Sequence, residues 1–120
     1  MKGDDIASRL LEFAARILDV IAGLPQTVLG KHIARQLTKA ATSGGANYEE
    51  ARGAESRADF AHKVQVSAKE VRESVYWVKL IQRMGLSRKP TLPWIIREGN
   101  ELVAILKASA RTARERAKTG

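Results

Sequence analysis

Four stretches of the chain repeat apolar residues at steps of three and four, the spacing that gathers side chains on one face of an α-helix. The longest lies between Ser56 and Gly85. There Phe60, Val64, Ser67, Val71, Ser74, Val78 and Ile81 form one face, thickened toward its end by Tyr76, Trp77, Leu80 and Met84. Ser56 and Asp59 have the spacing of a capping box, and Gly85 supplies a left-handed stop. The spacing predicts a helix over residues 57–84, roughly 42 Å long at about 1.5 Å per residue. Such a rod, strongly apolar at one end, needs partners of comparable length.

The other three stretches are of that kind. Ile6, Leu10, Phe13, Ile17, Val20 and Leu24 share a stripe, with Leu11, Ala14, Leu18 and Ile21 beside it. This predicts a helix over 5–22, ended by Gly23 and Pro25. A second helix over 26–53 begins normally with Leu29, Ile33, Leu37 and Ala40. Its seam then turns small or polar at Ser43, Gly44, Ala46, Asn47 and Ala51. A glycine inside a helix costs roughly 1 kcal/mol relative to alanine. Gly44-Gly45 therefore implies either a kink or the close approach of a neighbouring backbone. Gln36, Ser43 and Asn47 fall at or beside core positions and need hydrogen-bond partners if buried, with Ser67 and Glu70 as candidates. The last helix, over 92–116, carries Ile95, Gly99, Leu102, Leu106 and Ala110, flanked by Trp94, Val103 and Ile105. Thr91 is its expected cap, with Pro93 in the first turn. No segment alternates as a strand does. Short turns make successive helices antiparallel, so the expected fold is all-α: one domain over residues 1–120, an antiparallel up-down-up-down four-helix bundle.

Charge changes the picture more than composition does. The chain has 21 Lys and Arg against 13 Asp and Glu, a formal charge of +8 that favours polyanionic partners. The excess is arranged in stripes: Lys31, Arg35 and Lys39 on the second helix; Lys69, Arg72, Lys79 and Arg83 on the third; and Lys107, Arg111 and Arg114 on the fourth, running on to Lys118. No base-reading motif is visible, so these stripes predict phosphate contacts to RNA or DNA without sequence preference. They equally suit a solvated surface that only keeps the protein soluble.

Other chemistry finds little support. With no cysteine there is neither a disulfide framework nor a thiol nucleophile. His32 and His62 lie on different helices without a second histidine at helical spacing, and Glu70 and Glu73 sit beside Lys69 and Arg72 as ion-pair partners. Gly44-Gly45 lacks the lysine and hydroxyl of a phosphate loop. No metal, no cofactor and no catalytic residue is expected. No apolar run is long enough to cross a membrane, and the polar start Met1-Lys2-Gly3-Asp4-Asp5 is unlike a signal peptide, so a cytoplasmic location is expected. Tyr76, Trp77, Leu80 and Trp94 offer more apolar surface than one seam hides, which predicts a core or subunit interface there and a homo-oligomer.

Several of these residues also carry a resemblance. Gln36-Leu37, Ala40, Ser43, Asn47, Glu50, Ser56 and Asp59-Phe60, followed by Lys69-Glu70, Arg72-Glu73 and Tyr76-Trp77, resemble the bacterial four-helix-bundle family related to proteins encoded in 23S rRNA intervening sequences. The likeness runs from Leu24-Pro25 to Leu106. It departs at Gly44-Gly45, where members often have Ile-Pro, and at Glu50-Ala51, where they often have Glu-Gly. The resemblance implies a four-helix protomer that assembles as a homopentamer. It extends to the accessory variability determinant of diversity-generating retroelements, which implies nucleic acid and a reverse transcriptase as partners. The expectation is a non-enzymatic, basic homo-oligomer that binds RNA or DNA. The alternative is an interaction scaffold with no nucleic-acid role.

Overall fold

A computed structural model describes residues 1–119, and they form four helices and no strand. These are α1 (Asp4–Ala22), α2 (Val28–Arg52), α3 (Arg57–Met84) and α4 (Leu92–Thr119). Each packs against its two neighbours in the cycle α1, α2, α3, α4, and the bundle measures 52 × 23 × 21 Å. The expected four-helix architecture is present. α3 has its expected limits because both its ends are chemically marked. The Ser56 hydroxyl accepts from the Asp59 N–H at 3.0 Å, and Gly85 takes a positive φ of 66°. α2 starts later than its apolar pattern suggested, since Thr27 is extended and caps it through Gly30 N–H at 3.0 Å. α4 runs beyond residue 116 to Thr119. Thr91 does not cap it as expected: its carbonyl accepts the Ile95 N–H at 3.0 Å, while its hydroxyl is buried without a partner among the described residues.

The core is built from Leu10, Phe13 and Ile17 of α1, Ile33 and Leu37 of α2, Val64, Val71, Val78 and Ile81 of α3, and Ile95, Leu102 and Leu106 of α4. α2 does not break at its paired glycines. Gly44 is buried, and a Cβ there would lie 2.9 Å from Val71 Cγ2. Beside it the Ser67 hydroxyl donates to the Gly44 carbonyl at 2.6 Å. Close approach, not a kink, explains the small seam. The other polar seam residues find no partner on α3 among the described residues. Asn47 instead donates to the Ser43 carbonyl of its own helix at 2.8 Å. Gly45 faces the other way and meets only Leu10 Cβ, at 3.6 Å.

The same device recurs one turn further along α3. A Cβ on Gly99 of α4 would lie 2.3 Å from Val75 Cγ2 and 3.0 Å from Phe13 Cε1. Besides the packing of Phe13 on Gly99, charge joins α1 to α4. Arg9 donates from Nε and Nη2 to both carboxylate oxygens of Glu98, at 2.9 and 2.8 Å, and from Nη2 to Glu101 at 3.0 Å. That fork fits a carboxylate pairwise and, with Glu98 the main cause, raises the guanidinium above its usual range. A second pair, Arg52 with Asp4, ties the start of α1 to the end of α2.

Valine is stiff at χ1, so neither Val71 nor Val75 yields easily. Gly99→Ala should cost on the order of 1–3 kcal/mol from overpacking. Gly44→Ala, with one tight methyl against a helix-propensity gain of about 1 kcal/mol, should stay near the wild type. Gly44→Leu should lose on the order of 3 kcal/mol, and Gly45→Ala should gain up to about 1 kcal/mol. Thermal melts of the four variants check the order; a Gly99→Ala protein as stable as the wild type would sink the account. Arg9→Met should speed amide exchange in α1 well before it does so in α3.

Candidate nucleic-acid interface

The ten basic residues picked out from the sequence do not form one surface. They divide between opposite sides of the bundle. Between α3 and α4 runs a groove of about 520 Å³, lined by His62, Gln65, Val66, Ala68, Lys69, Arg72, Val103 and Lys107. Its lining combines the apolar Val66, Ala68 and Val103 with the cations Lys69, Arg72 and Lys107. Toward the end of α4 a second hollow of about 340 Å³ shares His62 and Gln65 and adds Arg114 and Lys118. Arg114 reaches across it to donate to the Gln65 side-chain oxygen. Arg111, exposed, lies between Lys107 and Arg114 on the outer side of α4. No carboxylate lines either hollow.

Lys79 and Arg83 follow Arg72 at steps of seven and four, so they extend the line along α3 beyond the groove. Arg83 is in the last turn of α3, where the helix dipole favours a cation. Lys31, Arg35 and Lys39 are elsewhere. They line a hollow of about 600 Å³ between the end of α1 and the start of α2, with Ile21, Leu24 and Ala34.

Two groove residues, Gln65 and His62, were not singled out as nucleic-acid contacts. Helical spacing carries the signal, because His62, Gln65, Lys69 and Arg72 follow one another at three, four and three residues. From the sequence His62 stands only as a candidate metal ligand. Among the described residues no three His, Cys, Asp or Glu side chains cluster as a metal site.

Among the aromatic residues, Tyr76 stands on the α3 line itself, four residues after Arg72 and three before Lys79, while Trp77 turns toward His32 of α2. Trp77 is half-buried, donates from Nε1 to Glu73 at 3.1 Å, and stands edge-on to His32 and Tyr76, at centroid distances of 5.8 and 5.2 Å. Leu80 and Trp94 are half-buried against the core. Tyr76 is 58% exposed.

The sequence model for the 23S rRNA-intervening sequence proteins matches residues 4–108. The chain belongs to that family. Among solved structures, a protein of unknown function from the S23 ribosomal protein family of Bacteroides thetaiotaomicron shares the fold with a TM-score of 0.76. It is 31% identical, and the likeness covers 86% of this chain and 95% of that one. No curated protein matches the sequence. As a 23S rRNA-intervening sequence protein the chain keeps the bundle common to this family and carries the α3–α4 groove on it. No described helix is long and apolar enough to cross a membrane.

Gln65→Ala should free the Arg114 side chain and leave thermal stability within about 0.5 kcal/mol of the wild type, as expected for an exposed contact. A larger loss in a melting curve would make this contact part of the bundle and not of its surface.

Proposed function

We propose that the protein is a non-enzymatic homo-oligomer that binds RNA or DNA through phosphates, with the α3–α4 groove as the contact surface. One observation carries the reading: Lys69, Arg72 and Lys107 line a single groove that continues past Gln65 to Arg114 and Lys118, with no carboxylate among the lining residues. Cations aligned along two adjacent rods suit a regularly charged backbone. Gln65 and His62 add hydrogen-bonding capacity between them. The groove offers no helix that could enter a base-pair groove alone, so binding is indifferent to sequence.

Oligomerisation supports the reading, since repeating the groove multiplies the field each protomer supplies. The resemblance implies five chains, and also a reverse transcriptase as the partner that the protein would accompany. Tyr76, Trp77 and Met84 leave apolar surface for a protein contact of either kind.

Titration of a labelled RNA and a labelled DNA at two salt concentrations tests the proposal. Affinity should fall steeply with salt for both polymers. Lys69→Glu/Arg72→Glu/Lys107→Glu should reduce the salt slope by about three. If Lys31→Glu/Arg35→Glu/Lys39→Glu reduces it instead, the contact surface is the α1–α2 side. A wild type that binds neither polymer at low salt leaves the scaffold reading in its place.

A further inference from the structure

One residue on the basic line of α3 is not a cation. Lys69, Arg72, Tyr76, Lys79 and Arg83 are all exposed and follow one another at steps of three, four, three and four residues. At about 3.6 residues per turn they fall within an arc of about 80° around the helix. Lys69, Arg72, Lys79 and Arg83 make no ion pair within the protomer among the described residues. Tyr76 stands in the middle of them and is 58% exposed. Its ring is nevertheless braced. Trp77 meets it at a centroid distance of 5.2 Å with the planes inclined at 75°, an edge-to-face contact. Trp77 is itself half-buried against the core and stands edge-on to His32 of α2. It also donates to Glu73, so the carboxylate nearest to Tyr76 along the chain is already engaged.

From this placement we infer that Tyr76 is a stacking platform for an unpaired base, so that the α3 line takes single-stranded RNA or DNA in preference to a duplex. The inference rests on the phosphate-binding reading and names the class of polymer that this surface takes. Arg72 and Lys79 lie seven residues apart, about 10 Å along α3, with Tyr76 between them. A strand that follows the line sets phosphates toward these cations and an unpaired base against the ring. Stacking asks only for a π-face, which every base has, so it adds affinity without adding sequence preference. In a duplex each base is already stacked between its neighbours and has no face to offer. A duplex therefore keeps the phosphate contacts and loses this one. The bracing by Trp77 matters because a ring already held in place gives up little freedom when a base meets it. Charge decides between a base and a second protein surface as the occupant. A protein laid on Tyr76 must also answer four unpaired cations around it, whereas a nucleic-acid strand brings their counter-charge together with the base.

The probes are a single-stranded oligoadenylate made as RNA and as DNA, the duplex of each, and a DNA strand of the same length without bases. The wild type should bind the single strands about tenfold more tightly than the strand without bases. The RNA and DNA arms identify which backbone the surface takes. Tyr76→Ala should weaken single-strand binding by about tenfold and leave the duplexes and the base-free strand unaffected. Tyr76→Phe, which keeps the ring face, should bind as the wild type does. A fluorescent adenine analogue whose emission falls on stacking supplies a direct readout. Placed in the single strand, it should be quenched by the wild type and by Tyr76→Phe but not by Tyr76→Ala. Circular dichroism and sedimentation mass should be the same in all three proteins, because the ring is exposed. A Tyr76→Ala protein with wild-type affinity for single strands, or with a reduced sedimentation mass, overturns the inference while the phosphate reading stands. A wild type that binds none of the probes at low salt overturns both.

Discussion

The bundle depends on how closely its third helix is held between two glycines. Val71 of α3 faces Gly44 of α2, and one turn on, Val75 faces Gly99 of α4. Each contact lets a neighbouring backbone approach to a distance that no other residue permits without displacement. The Ser67 hydroxyl can reach the Gly44 carbonyl only because α2 lies this near. Dispersion falls off steeply with separation, so two such contacts also set how well the surrounding leucines, isoleucines and valines interdigitate. α1 stands outside this arrangement. It contributes Phe13 to the Gly99 contact, buries Leu10, Ile17 and Val20 in the core, and adds the Arg9 fork to Glu98 and Glu101.

How much of this was legible depended on whether a signal was local. The limits of α3 could be read because Ser56 and Gly85 act on their own neighbours. Apolar spacing gave four helices and their order for the same reason. Thr91 misled because a hydroxyl before a helix is only a candidate cap, and its backbone placed that hydroxyl in the interior without a partner. Asn47 misled because the carbonyl one turn back was nearer than anything on α3. Gly44 and Gly45 are adjacent and identical, yet one faces Val71 and the other Leu10. The spacing says that they lie on different sides, but not which helix waits at each.

The candidate interface shows the same division. Each basic stripe was visible, because residues three and four apart share a helix face. Which stripes meet was not, since that depends on which helices are neighbours and how they are rotated. The structure joins Lys69 and Arg72 to Lys107 and separates them from Lys31, Arg35 and Lys39. Glu98 and Glu101 lie nine and six residues before Lys107, on another face of α4, where Arg9 of α1 pairs with them. The register of α4 thus keeps these two carboxylates off the groove side.

That clearance matters before anything touches the protein. A groove lined by cations shapes the field around a rod some 50 Å long, and such a field acts over the last nanometre of approach. On the proposed reading a polyanion drifting nearby meets cations on the α3–α4 side, with a second set, Lys31, Arg35 and Lys39, on the α1–α2 side. The first effect is on the fraction of collisions that begin in a useful orientation, and so on the association rate. How long a complex lasts is governed separately, by the contacts made once the two surfaces meet.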